Sequence, residues 1–148
     1  MKTVNLKPPQ IAFGLLALSG GLHLAITRGQ HPMRCLVCAI ALFLAGFGLM
    51  MWAWAGFQRA KTPIRPTDTA TTLVIGGPFR FTRNPMYLGI VLMLLAAVFG
   101  VGTWPMLLAP IGFFLIISAV FIPYEEQRLK EIFGKQYENY QKRIRRWL

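Results

Sequence analysis

The stretch Gly76-Gly77-Pro78-Phe79-Arg80-Phe81-Thr82-Arg83-Asn84-Pro85-Met86-Tyr87-Leu88-Gly89 concentrates residues able to do chemistry. Gly76 and Gly77 let backbone approach a ligand closely, and Pro78 restricts the turn. Arg80 and Arg83 supply permanent positive charge. Asn84 precedes a proline and is pushed out of the helical region, so a helix is predicted to start at Pro85 or just after. The free N–H groups of such a start suit a carboxylate. The plain reading of the same residues is a basic, Gly-Pro-marked entry into a membrane. Glu125-Glu126 is the second feature: two adjacent carboxylates directly after a long apolar run. Either is costly if buried without a partner. The plain reading places them at the start of a tail helix, where negative charge is favoured, with Glu126 in a surface pair with Lys130 at i+4. The functional reading is a carboxylate facing a bound cation. Glu125 lies over Leu129 on the apolar stripe of that helix and is the better candidate for an inward role.

These groups need elements to hold them, and the composition restricts the choice. The chain has 148 residues, 55% hydrophobic and only 14% charged, where about 25% charged is usual for a soluble domain. It cannot cover a water-facing surface and is read as one integral membrane domain over 1–148; disorder is excluded for the same reason. The net charge of +11 suggests nucleic acid or an anionic membrane surface. The basic residues lie between and beyond apolar runs, where a polytopic protein needs them, so the partner is the lipid bilayer and not nucleic acid.

Residues 8–27, 35–58 and 84–124 carry no charge, and the last of these is 41 residues long. A crossing needs about 20 residues, so 84–124 holds two crossings folded at the Gly- and Pro-marked turn 100–105. The expected fold is all-α: four transmembrane helices near 9–27, 35–57, 86–100 and 104–122, a polar loop at 58–84 and an amphipathic helix at 124–146. The third span is short and draws on part of the turn. Lys2, Lys7 and Ala17-Leu18-Ser19 imitate a signal peptide, but removal would leave an odd number of crossings, so the first helix is read as retained. Alternate segments carry 14 against 2 of the Lys and Arg residues, which places both termini and the 58–84 loop in the cytoplasm. All five acidic residues, Asp68, Glu125, Glu126, Glu131 and Glu138, fall on that side. Trp52, Trp54 and Trp104 suit interfacial belts.

In the tail, Leu129, Ile132, Phe133, Tyr137, Tyr140 and Ile144 recur at helical spacing, with a bend predicted at Gly134. The tail lies on the inner leaflet, packs beneath the spans as a lid, or does both. Cys35 and Cys38 put two thiols on one helix face, read as small apolar filler ahead of a redox pair; no disulfide framework and no metal site is expected. His23, in the first span, is read as structural. Gly14, Gly20, Gly21, Gly46 and Gly48 are expected to allow close helix packing.

Thr72-Leu73-Val74, Gly77, the run 83–89, the Glu125-Glu126 pair, and Phe133-Gly134 with Tyr137 and Tyr140 resemble, in order and spacing, the isoprenylcysteine carboxyl methyltransferase family, as in a small prokaryotic-type member. That family is related to the phospholipid methyltransferases, and the resemblance covers about 59–147. It implies an integral membrane methyltransferase using S-adenosyl-L-methionine, with 58–84 as a cytoplasmic cofactor loop. Carried over, Thr71, Thr72, Leu73, Val74, Phe79, Asn84, Pro85, Met86 and Tyr87 line the cofactor pocket, with Glu125 and Glu126 as its acidic side. Arg83, Asn84 and Tyr87 stand closest to the chemistry. Asn84 replaces the family's usual His; it can donate a hydrogen bond but cannot titrate. Eukaryotic members place an arginine shortly before the Glu pair to meet a prenylcysteine carboxylate. Phe121 stands there in this chain, and no basic residue occurs from 84 to 124. The expected acceptor is therefore a small lipophile, methylated on a carboxylate, amine or thiol, rather than a prenylated protein. The expected location is a prokaryotic inner membrane. Competing readings are an NADPH-dependent membrane reductase, since sterol reductases carry a similar Arg-x-Pro-x-Tyr tail, and a non-catalytic membrane scaffold.

Overall fold

A computed structural model describes residues 7–27, 34–64 and 71–148. Lys2, Arg28, Arg65 and Asp68, which entered the charge distribution, lie outside the described residues, as does 65–70 of the predicted loop. The helices are α1 (Pro8–Ile26), α2 (Leu36–Arg59), α3 (Pro85–Val101), α4 (Leu108–Ile116), α5 (Ile122–Phe133) and α6 (Lys135–Arg143). Single 3-10 turns stand at Gly77–Arg80 and Trp104–Leu107. There is no strand among the described residues, so the all-α expectation holds.

Local sequence explains the boundaries. Pro85 occupies the first position of α3, where its missing N–H costs nothing. The helix stops at Gly102, whose φ of 75° is left-handed and whose N–H caps Val98 O at 2.7 Å. Gly134 ends α5 with φ 50° and ψ −127°, a conformation open in practice only to glycine, and α6 leaves in a new direction.

Among the described residues, three helices are long and apolar enough to cross a membrane: Pro8–Ile26, Leu36–Arg59 and Trp104–Phe133. The third expected span is present as α3, but its 17 residues reach about 25 Å at 1.5 Å per residue, short of the roughly 30 Å hydrocarbon core. The last expected span differs more. A π-helical turn at Ile117–Phe121 joins α4 to α5, so Trp104–Phe133 is one rod of 30 residues. No new helix starts at 124. Glu125 and Glu126 sit inside a continuous helix, which removes the helix-start explanation of their charge. Helical structure also ends at Arg143, and Ile144 turns extended.

The closest packing is between α2 and α3. A Cβ on Gly46 would lie 2.5 Å from Gly89 O, and one on Gly89 2.6 Å from Gly46 O, so both backbones approach where only glycine fits. The packing role expected of Gly46 therefore holds, whereas Gly14, Gly20, Gly21 and Gly48 face open space. Ala12 of α1, Leu94 of α3, and Ala109, Phe113, Ile117 and Ile122 of the rod form the buried core. One end of the bundle is tied by Cys35 N–H to Phe99 O at 3.0 Å and by Thr103 Oγ1 to His23 Nδ1 at 3.0 Å. At that end Cys35 is half-buried and Cys38 exposed, with their sulfurs 2.7 Å apart. The site residues lie at the other end.

Candidate active site

The 73–84 segment crosses the end of α2 before entering α3. Gly77 has φ +59° and sits under the Trp52 indole, whose Nε1 would lie 3.1 Å from a Cβ there. Phe79 is buried and meets Phe57 edge-on at 5.4 Å, and Val74 packs beside Gly56. These contacts fix the segment's course, so Tyr87, one turn into α3, points toward the rod.

There the Tyr87 hydroxyl donates to Glu125 Oε1 at 2.6 Å. Glu125 Oε2 has no protein donor among the described residues, which leaves one carboxylate oxygen for a ligand. Glu126 is engaged differently. The Arg146 guanidinium holds both its oxygens, Nη2 to Oε2 at 2.8 Å and Nε to Oε1 at 3.2 Å, the fork geometry that makes Arg–carboxylate pairs strong. Arg83 Nη1 stands 3.1 Å from Oε1 but off the hydrogen-bond direction, so its contribution is electrostatic. The Arg83 and Glu126 side chains are only 12% and 13% exposed. Glu126 is therefore not the surface partner of Lys130: the tail supplies a nearer, forked cation on a shielded face.

Further tail contacts complete the site. The carbonyl of Arg145 accepts from Arg83 N–H at 3.0 Å, and that of Arg146 accepts from Thr82 Oγ1 at 3.1 Å and Asn84 Nδ2 at 2.8 Å. The Tyr140 hydroxyl donates to Phe79 O at 2.7 Å. Trp147 Nε1 donates to Ser118 Oγ at 3.2 Å, and its ring lies 4.7 Å from that of Phe114. Burial, reinforced by the negative charge of Glu126, pushes the Tyr137 hydroxyl up to about 12, and burial raises Tyr140 as well. Both stay neutral near pH 7 and act as fixed dipoles. Hydrogen bonding to Glu126 raises Arg146.

A cavity of about 550 Å³ opens between the 73–80 segment and α6, lined among others by Leu73, Ile75, Arg80, Gln136, Tyr140 and Arg143. The residues expected at the site thus fall into groups. Leu73 lines the cavity, while Thr71 and Thr72 are exposed beside it. Val74 and Phe79 pack on α2. Pro85 is buried and Met86 half-buried at the start of α3. Tyr87 meets Glu125, Arg83 meets Glu126, and Asn84 is spent on the Arg146 carbonyl. The sequence reading missed Thr82, Ser118, Arg146 and Trp147; Arg146 entered it only as positive charge.

The family model described as Phospholipid methyltransferase matches residues 34–136. Protein-S-isoprenylcysteine O-methyltransferase B of Arabidopsis thaliana is 37% identical over 78 residues, 49% of this chain and 36% of that protein. A probable protein-S-isoprenylcysteine O-methyltransferase of Oryza sativa subsp. indica is 35% identical over 78 residues, 49% of this chain and 38% of its own length. The chain thus spans little more than a third of these plant relatives. An uncharacterized protein of Haemophilus influenzae is 40% identical over 63 residues, 43% of this chain and the whole of that protein. No solved structure matches. The matched residues take in α2, the 83–87 turn, α3 and the Glu125-Glu126 pair, and on that match the chain belongs to the phospholipid methyltransferase family.

Proposed function

We propose that the protein is a membrane-embedded, S-adenosyl-L-methionine-dependent methyltransferase acting on a small lipophilic acceptor. The observation that carries this reading is the Tyr87–Glu125 contact of 2.6 Å, which places a carboxylate with one uncommitted oxygen inside the family segment. Such an oxygen suits the ammonium of an amino-acid moiety. The cavity lined by Leu73 and Tyr140, about 550 Å³ and without Tyr87 or Glu125 in its lining, lies within the range of small-molecule sites, about 300–1,000 Å³. The residues present therefore fit this methyl donor. Glu125 would hold its amino group, with Tyr87 fixing the carboxylate, and Leu73 and its neighbours Thr71, Thr72 and Val74 would flank the rest.

When bound, S-adenosylmethionine supplies a methyl group already activated on a sulfonium. What remains for the chain is alignment of the acceptor and exclusion of water, and alignment supplies much of the acceleration in such displacements. The uncharged 84–124 stretch suits an acceptor arriving from the bilayer with a carboxylate, amine or thiol nucleophile. In this reading α1, α2, α3 and the rod make four crossings, α3 completed by the turn that follows it. The termini and the 58–84 loop face the cytoplasm, in a prokaryotic inner membrane. Calorimetry in detergent tests it: S-adenosylhomocysteine is expected to bind and NADPH is not. Binding of NADPH alone would favour a reductase, and binding of neither a scaffold.

A further inference from the structure

We propose that residues 144–148 form a strap that sets the 83–87 segment against α5, with Arg146 as its positioning residue; this rests on the methyltransferase reading above. The segment 82–84 belongs to no helix; its local bonds are Thr82 N–H to Pro78 O at 3.3 Å and Asn84 N–H to Thr82 Oγ1 at 3.2 Å. Three of its polar groups are satisfied by the returning tail: the Arg83 N–H, the Thr82 hydroxyl and the Asn84 amide, on the carbonyls of Arg145 and Arg146. All three contacts join residues 62 or 64 positions apart. They exist only because Ile144 is extended, at φ −119° and ψ 131°, and exposes the next carbonyls as an unpaired strand would.

The same residue that grips this segment by its backbone grips α5 by its side chain. The Arg146 guanidinium takes both oxygens of Glu126, the neighbour of Glu125. Tyr87 and Glu125 bridge the same two elements. Arg146 thus determines the separation across which the Tyr87–Glu125 contact forms, and with Arg83 it neutralises Glu126, so that Glu125 does not stand beside an uncompensated like charge. Trp147 seats the strap: its indole is bonded to Ser118 in the π-helical turn and packs on Phe114. Asn84 then acts through the strap, as an anchor for the Arg146 carbonyl.

The test uses the full chain in detergent and two readouts, hydrogen exchange of peptides covering 81–88 and calorimetric titration with S-adenosylhomocysteine. Arg146→Ala should raise exchange across 81–88 at least tenfold, leave α2 near Gly46 unchanged, and weaken S-adenosylhomocysteine at least tenfold. Arg146→Lys, which keeps charge but loses the fork, should fall between the two, and it carries the test if Arg146→Ala does not fold. Unchanged exchange at 81–88 in the Lys and Ala variants overturns the strap. Raised exchange with affinity within twofold of the parent makes the tail merely structural and overturns the positioning role. A parent protein that fails to bind S-adenosylhomocysteine rejects the methyltransferase reading instead, and exchange alone then decides whether the strap exists.

Discussion

Glu125 and Glu126 are adjacent carboxylates with different partners, and the difference can be measured. Glu125 meets one neutral hydroxyl and keeps an oxygen open, whereas Glu126 is held by two guanidinium groups. Glu125→Gln keeps the shape and removes the charge. A charge-assisted hydrogen bond is worth about 1.5–3 kcal/mol, so the variant should bind S-adenosylhomocysteine about 10–150-fold more weakly, with little change in melting temperature. Glu126→Gln leaves Arg83 and Arg146 facing a neutral amide. Breaking a fully buried pair costs about 3–5 kcal/mol. Because the Arg146 side chain is 39% exposed, a loss nearer 1–3 kcal/mol is expected, seen by thermal unfolding in detergent and larger than that of Glu125→Gln. Equal melting losses in the two variants would contradict the division of roles. The inward placement of Glu125 was legible because its place on the apolar stripe follows from helical period alone. The partners of Glu126 were not. Lys130 stood at i+4 and satisfied the local rule, while Arg146 lies 20 positions away, reached by a reversal that no periodicity encodes.

Long apolar runs made the helices legible, and local signals made their ends legible where Gly or Pro stands: Pro85, Gly102 and Gly134 mark boundaries close to those expected. The continuity of Trp104–Phe133 was hidden. Charge begins at 125 and Pro123 precedes it, which together read as a span ending and a new helix beginning. Pro123 has no N–H to return to the previous turn, and the π-helical turn at Ile117–Phe121 lies directly before it. The wider turn absorbs the missing bond and lets the helix run on. Composition alone also could not say which glycines pack, since this depends on the facing helix. Gly46 and Gly89 face each other's carbonyls, and backbone cannot yield as a side chain can. Gly46→Ala and Gly89→Ala should each force α2 and α3 apart and cost about 1–3 kcal/mol, the range for overpacked cores, read by thermal unfolding. Gly48→Ala, in the same helix with open space around it, should be neutral or slightly stabilising. A stable Gly46→Ala protein would show that the two helices do not touch there.

The molecule has two unlike ends. At one, the 79–84 turn, Glu126, α6 and the tail gather arginines, acids and tyrosines. At the other, Cys35 meets Phe99 and His23 meets Thr103, with no ion pair among the described residues there. On the orientation proposed above from the 14-to-2 distribution of basic residues, the polar end of this axis faces the cytoplasm. Impermeant maleimide on intact cells should then label Cys35 or Cys38, and a C-terminal reporter active only outside the cell should stay silent; an active reporter would invert the orientation. The same axis constrains the route of the acceptor. Ile111, Leu115 and Val120 of the rod are exposed apolar surface, and 84–124 offers no charge to a soluble substrate passing along it. A donor meeting Glu125 would reach the site from the polar end, so an acceptor approaching from the bilayer arrives from a different direction and need not compete for the same mouth. A lipophilic acceptor should therefore be methylated far faster than a water-soluble analogue bearing the same nucleophile, at least tenfold in kcat/KM in liposomes. Partition into the membrane alone would raise the apparent affinity in proportion to lipid content, so the comparison is repeated at two lipid-to-protein ratios with concentrations expressed per lipid. A preference that survives this correction belongs to the site, whereas equal rates for the two acceptors, in liposomes and in detergent, would exclude the lateral route.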